Sequence, residues 1–183
     1  MLLEKAYAKA YGGYYRLNLG RAGEALRDLT GAPSYGYLLK ECRGDPQRKE
    51  KVWSKLVSAF RNRYLACASS KHTGTGTENR LANGILTDHV YSILDLQEVT
   101  DSRGLPARIL QMRNPWGEIE WNGNWSDNSG AWTQDLRKRL NVTKDTDDGL
   151  FWIDFDDLIE NFEAVFINKV EPTFTFNSIP IEI

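Results

Sequence analysis

The chain has 183 residues, enough for one globular domain with a core of its own and short for two. It is 41% apolar and 26% charged, and its formal charge of −2 leaves no basic excess of the kind that binds nucleic acid or an anionic membrane surface. No apolar run is long enough to span a bilayer, and the two cysteines, Cys42 and Cys67, do not make a disulfide framework, so a reduced, cytoplasmic setting is expected.

Residues 2–11 read as a helix with Leu2, Leu3, Ala6 and Ala10 near one face, ended by Gly12-Gly13. A short helix is expected from Glu24 to Leu29, and Gly31-Ala32-Pro33-Ser34 is turn chemistry. Pro46 suits a first helical position, and beyond it Trp53, Leu56, Val57, Phe60 and Tyr64 recur at helical spacing as a buried stripe. Leu65–Ser69 reads as a short strand and residues 70–83 as a polar loop. The apolar segment from Ile85 to Val99 and the segment from Ala107 to Arg113 read as two strands joined at the Asp101-Ser102-Arg103-Gly104 turn. Trp132, Leu136 and Leu140 mark a short helix. An acidic run from Asp145 to Gly149 leads into a strand in which Phe151, Ile153 and Phe155 alternate. Asp156 then caps a helix through Phe162, and a last strand runs from Val165 to Val170, before Pro172. Helices first and antiparallel strands later predict an α+β fold, an antiparallel twisted sheet with flanking helices.

The stretch from Arg113 to Asp127 holds three of the six tryptophans, Trp116, Trp121 and Trp125, among Asn, Gly and acidic residues. It is a poor strand and a poor helix, and reads as a built loop of the kind that carries function. In the hairpin on either side of the Asp101–Gly104 turn, His89 and Asn114 lie at nearly equal distances from the turn. They are therefore expected as cross-strand partners, with Cα atoms roughly 4.5–5.5 Å apart if directly opposed. An Asn oxygen accepting from one ring nitrogen fixes the tautomer and turns the other nitrogen toward a nucleophile. The pairing depends on register, since a slip of one residue puts the two side chains on opposite faces unless a bulge restores them.

Asp88-His89-Val90-Tyr91-Ser92, followed by Met112-Arg113-Asn114-Pro115-Trp116-Gly117-Glu118-Ile119-Glu120-Trp121, resembles the His and Asn segments of the calpain catalytic core. Leu3-Glu4-Lys5-Ala6-Tyr7-Ala8-Lys9 resembles the opening of that core's second half, and Asp148-Gly149 with Phe151-Trp152 resembles its end. The resemblance implies that residues 1–171 form the second, His/Asn subdomain of a papain-like cysteine protease fold, with residues 172–183 a tail or the start of a linker. It implies a calcium-dependent cysteine endopeptidase acting on protein substrates, with His89 as general base and acid, Asn114 as its orienter and Trp116 as the indole that shields their bond. The nucleophile would come from a partner, the Cys-bearing first half. Cys42, in Lys40-Glu41-Cys42-Arg43-Gly44, and Cys67, in Ala66-Cys67-Ala68, both lack the Gly-Asp-Cys-Trp-like context of the family's nucleophile.

Calcium takes several oxygen ligands, mostly carboxylates and carbonyls. By the resemblance, Glu120 and Asp127 would supply one side of a calcium site and Asp148 the other, with a backbone carbonyl near Thr146. The family's acidic residue after the Asp-Gly pair is here Leu150, which weakens the site; Asp145 or Asp147 could replace it. The alternatives are a non-catalytic, calpain-derived binding or regulatory module, and a sugar-binding platform made of Trp116, Trp121 and Trp125.

Overall fold

A computed structural model of the chain describes residues 2–17, 20–74, 77–144 and 146–171. In chain order the elements are α1 (Leu2–Ala10), α2 (Ala22–Thr30), β1 (Ser34–Leu38), α3 (Pro46–Arg61), β2 (Leu65–Ser70), β3 (Val90–Thr100), β4 (Pro106–Arg113), α4 (Gln134–Arg139), β5 (Leu150–Asp154), α5 (Phe155–Asn161) and β6 (Phe162–Asn168). The strands make one antiparallel sheet in the order β1-β6-β2-β3-β4-β5, flanked by helices, which is the α+β arrangement expected. Residues 172–183 and Asp145 lie outside the described residues.

The helix α3 follows its sequence signals. Asp45 caps it by accepting from the backbone N–H groups of Gln47 and Arg48, both at 3.0 Å, and Pro46 occupies the first turn. Its stripe packs on the sheet, with Trp53 and Leu56 buried and Val57, Phe60 and Tyr64 partly so. The sheet face beneath it carries Tyr91, Ile93, Leu110, Met112, Phe151 and Ile153, which join Phe155 and Leu158 of α5 in the main core. Each such side chain, taken fully out of water, contributes about 1.5–3 kcal/mol. On the opposite face, Val99, Ile109 and Trp152 make a second core with Trp125, Trp132 and Leu136. Phe151, Trp152 and Ile153 are therefore buried in succession, because this end of the sheet is covered on both faces.

Several boundaries differ from those read in the sequence. Ser34–Leu38 forms β1, a strand not expected after the Gly31–Ser34 turn, because β6 offers it a partner along its whole length. The strand after the polar loop starts at Val90 rather than Ile85, the intervening residues being held by a Tyr91 hydroxyl that accepts from the Leu86 N–H at 2.8 Å. The helix α5 starts two residues earlier than expected, capped by Asp154 rather than Asp156, with Asp154 accepting from Asp156 N at 2.8 Å, and β6 begins at Phe162. Leu2, Leu3, Ala6 and Ala10 of α1 are exposed, and Ala8 is its buried residue.

The β3–β4 hairpin turns as the sequence signals. Asp101 accepts from the N–H groups of Arg103 at 2.8 Å and Leu105 at 2.9 Å, while the Gly104 N–H, at φ +84°, reaches back to the Asp101 carbonyl at 3.0 Å. Farther along the hairpin the ladder contains a bulge: Ile93 faces Met112, but Asp95 faces Gln111, leaving Leu94 as the extra residue, 45% exposed.

Candidate active site

His89 stands just before β3, fastened by its backbone. Its N–H donates to Ser70 Oγ at 3.0 Å, and its carbonyl accepts from the Ser70 N–H at 2.9 Å and hydroxyl at 3.1 Å. The residue before it, Asp88, adopts φ +53°, a conformation in which Asp is among the more tolerated side-chain-bearing residues. The Asp88 carboxylate is tied to the Thr73 N–H and hydroxyl and to His72, and these donors hold it below the usual carboxylate range, the Thr73 hydroxyl most of all.

Asn114 follows β4 and is wholly buried. Its amide nitrogen donates to the carbonyls of Glu118 at 2.6 Å and Ile119 at 3.1 Å, which fixes the orientation of the amide. Its Oδ1 therefore faces His89 Nε2, at 2.8 Å, and must be the acceptor, so Nε2 carries a proton. The same oxygen accepts from the Trp116 N–H at 3.1 Å, and the Asn114 carbonyl accepts from Gly117 N at 3.0 Å, closing the Asn-Pro-Trp-Gly turn. Gly149 is required beside this turn. It sits at φ +82°, and a Cβ there would lie 2.8 Å from the Asn114 carbonyl oxygen.

The pair meets, though not as directly opposed partners. Ser92 faces Arg113, so continuing the register outward sets Asn114 opposite Tyr91, with His89 two residues beyond on the same face. Without the bulge at Leu94 the partner of Asn114 would be Ser92, and His89 would point to the other side of the sheet. The His89 ring, 6% exposed, lies edge-on to Tyr91 at 4.9 Å between centroids and beside Trp116 at 5.2 Å. Trp116 itself is 52% exposed, so one part of its surface lies by the imidazole while the rest is open to solvent. Trp121 and Trp125 are buried, one in each core, and three tryptophans therefore do not form an exposed sugar platform.

The remaining ring nitrogen, His89 Nδ1, lies 2.6 Å from Glu78 Oε1, a contact not expected from the sequence. Glu78 sits in the polar loop, and nothing in Thr77-Glu78-Asn79 distinguishes it from a solvated carboxylate. Neither cysteine is among the partners of the ring. Cys67 lies within the sheet, opposite Ser92 and Phe166, and burial pushes its thiol up to about 12. It is three residues along β2 from Ser70, or about 10 Å of strand. Cys42 is buried and free, with its thiol also raised by burial first and then by Glu41 and Asp45.

Glu120, Asp127 and Asp148 bring the Trp-rich loop and the acidic loop together. Glu120 Oε1 accepts from the N–H groups of Asp148 and Gly149, both at 2.8 Å, and Asp127 Oδ2 accepts from the Thr146 hydroxyl at 2.8 Å. Asp147 accepts from the Ile119 N–H at 2.7 Å, and Leu150 opens β5 opposite Arg113. Burial is the main cause that pushes Glu120 up to about 7, with the Asp127 and Asp148 charges adding to it against the two N–H donors. Among the described residues no group of three or more His, Cys, Asp or Glu stands close enough to hold a metal ion. No helix among them is long and apolar enough to cross a membrane.

A sequence model described as calpain family cysteine protease matches residues 1–169. The chain is 35% identical over 173 residues to Calpain-8 of Mus musculus and 36% identical over 174 residues to Calpain-9 of Homo sapiens, in each case across 93% of this chain and 24% of the relative. It is 33% identical over 174 residues to the Calpain-type cysteine protease DEK1 of Arabidopsis thaliana, across 93% of this chain and 8% of that protein. The chain thus spans about a quarter of the length of the animal relatives it matches.

Proposed function

This chain belongs to the calpain family of cysteine proteases, and we propose that it is the His/Asn half of a calcium-dependent cysteine endopeptidase whose nucleophile sits on a separate, Cys-bearing half. The observation that carries this reading is the buried bond from His89 Nε2 to Asn114 Oδ1, at 2.8 Å, inside the segment that the family shares. With Nε2 committed to Asn114, the working nitrogen is Nδ1. It takes the proton of the partner's thiol, leaving a thiolate that attacks the peptide carbonyl. The imidazolium then gives that proton to the departing amine. In the second step His89 takes a proton from water, whose oxygen displaces the thiolate from the thioester and releases the acid. Asn114 holds the ring orientation throughout, and Trp116 keeps water from one side of the bond, which strengthens it. Alone, this chain forms no thioester: Cys67 is a buried, protonated thiol within the sheet and Cys42 is likewise buried.

Calcium belongs to the same proposal. When bound, it would supply positive charge between the Trp-rich and acidic loops, held by Glu120, Asp127 and Asp148 with a carbonyl near Thr146. Support comes from Glu120, a part-buried carboxylate whose charged neighbours Asp127 and Asp148 both penalise its ionisation. Binding requires the three side chains to draw closer than they stand among the described residues. Calcium is expected to raise the Tm of the chain but not that of Glu120→Gln, which keeps the acceptor oxygen and loses the charge. Equal melting curves with and without calcium would remove the metal from the proposal.

The protease reading is tested by mixing the chain with a Cys-bearing first half, with calcium present, and following cleavage of casein. Hydrolysis is expected with the native chain and not with His89→Ala. If the two cleave equally, His89 is not the base. If neither cleaves although the halves bind each other, the chain is a regulatory module derived from the family.

A further inference from the structure

We propose that Glu78 is a built-in competitor for the nucleophile side of His89, a side chain that the incoming cysteine must displace before the triad forms. The proposal rests on the protease reading above, because it gives His89 Nδ1 a use that Glu78 blocks.

Both ring nitrogens face acceptor oxygens: Nε2 meets Asn114 Oδ1 at 2.8 Å, and Nδ1 meets Glu78 Oε1 at 2.6 Å. An ionised carboxylate only accepts, so both contacts are hydrogen bonds when the ring carries both protons. That is the form the ring takes beside a thiolate. Glu78 therefore reproduces the charge of the missing partner, one anion against one imidazolium. As the carboxylate swings out, the Nδ1 proton passes to solvent and the thiol's proton takes its place, so the ring ends as an imidazolium beside one anion, as before, and no bare charge is stranded in the buried site.

The glutamate is placed rather than wandering. Its neighbour Asn79 is bound to Thr87 by two hydrogen bonds, Thr87 N–H to the Asn79 carbonyl at 2.9 Å and Asn79 N–H to Thr87 Oγ1 at 3.2 Å. The Asn79 amide also donates to the Thr77 carbonyl at 2.9 Å, and Thr87 is two residues from His89. The Glu78 side chain is 31% exposed, so its exit leads to water rather than through the core. A thiol and a carboxylate cannot both take the single Nδ1 direction, and Glu78 thus keeps His89 occupied until the other half arrives.

The test uses the whole chain, which has two histidines, His72 and His89. Diethyl pyrocarbonate acylates neutral imidazole, and peptide mass spectrometry separates the two sites. Glu78→Ala is expected to speed labelling of His89 severalfold relative to His72, with an unchanged urea midpoint; Glu78→Gln, which keeps the size and removes the charge, should do so to a lesser degree. Unchanged His89 labelling in both variants overturns the proposal. With a Cys-bearing half added, Glu78→Ala should raise kcat/KM for a peptide severalfold, whereas a fall would mean that Glu78 assists the base and would overturn the competitor role. Faster labelling with no hydrolysis by native or variant chain supports the blocked ring and overturns the protease reading instead.

Discussion

Asn114 makes four side-chain hydrogen bonds, one to the catalytic candidate and three to its own loop. Its removal has two separable effects. Asn114→Ala leaves the Nε2–H and the Glu118 and Ile119 carbonyls without their partner, and a buried group so stranded costs about 1–3 kcal/mol. The urea midpoint should fall accordingly, and hydrolysis by the reassembled halves should fall much further than the stability loss explains. A variant that is destabilised yet fully active would show that the ring needs no orienter. At this scale the sequence was legible where a residue sits in a long signature, as His89, Asn114 and Trp116 do. Glu78 was not, because what places it is a rung between Asn79 and Thr87 across a loop, and such a rung leaves no periodic or turn pattern.

At the scale of elements, the hairpin turn depends on one carboxylate. The N–H donors of Leu105 first, then of Arg103, hold Asp101 below the usual carboxylate range. A folded-state value below the unfolded one, about 4, means that the ionised turn stabilises the fold above that pH. That contribution is lost as pH falls through the folded value. Asp101→Ala should therefore lower the urea midpoint at pH 7, and the gap to the native chain should close below about pH 4; a gap constant with pH would exclude the charge as its source. The turn was readable from Asp101-Ser102-Arg103-Gly104, and the α3 stripe from its spacing. The bulge was not, since Leu94 reads as any apolar residue in a strand, yet it is what sets His89 and Asn114 on one face. The strand β1 was hidden for a similar reason: Ser34-Tyr35-Gly36-Tyr37-Leu38 has no alternation of its own, and β6 supplies the pairing.

For the molecule as a whole, the sheet separates two cores that share β3, β4 and β5. The smaller one rests on Trp132, set edge-on between Trp125 at 4.7 Å and Trp152 at 6.2 Å between centroids. Trp132→Ala should cost about 3–5 kcal/mol, a fall in Tm of more than roughly 6 °C for a chain of this size. A fall under 2 °C, about what 1 kcal/mol gives, would mean that the smaller core adds little to cooperative stability. The strand order has a consequence for synthesis. In the ribbon β3-β4-β5 each strand pairs with the next one made, so it can form as the chain lengthens. The last of the described strands, β6, inserts between β1 and β2, with Asn168 facing both Ser34 and Leu65. On a nascent chain β1 has no neighbour and β2 only β3 until Phe162–Asn168 emerges, and the slow, sticky interval in folding is the wait for that one insertion.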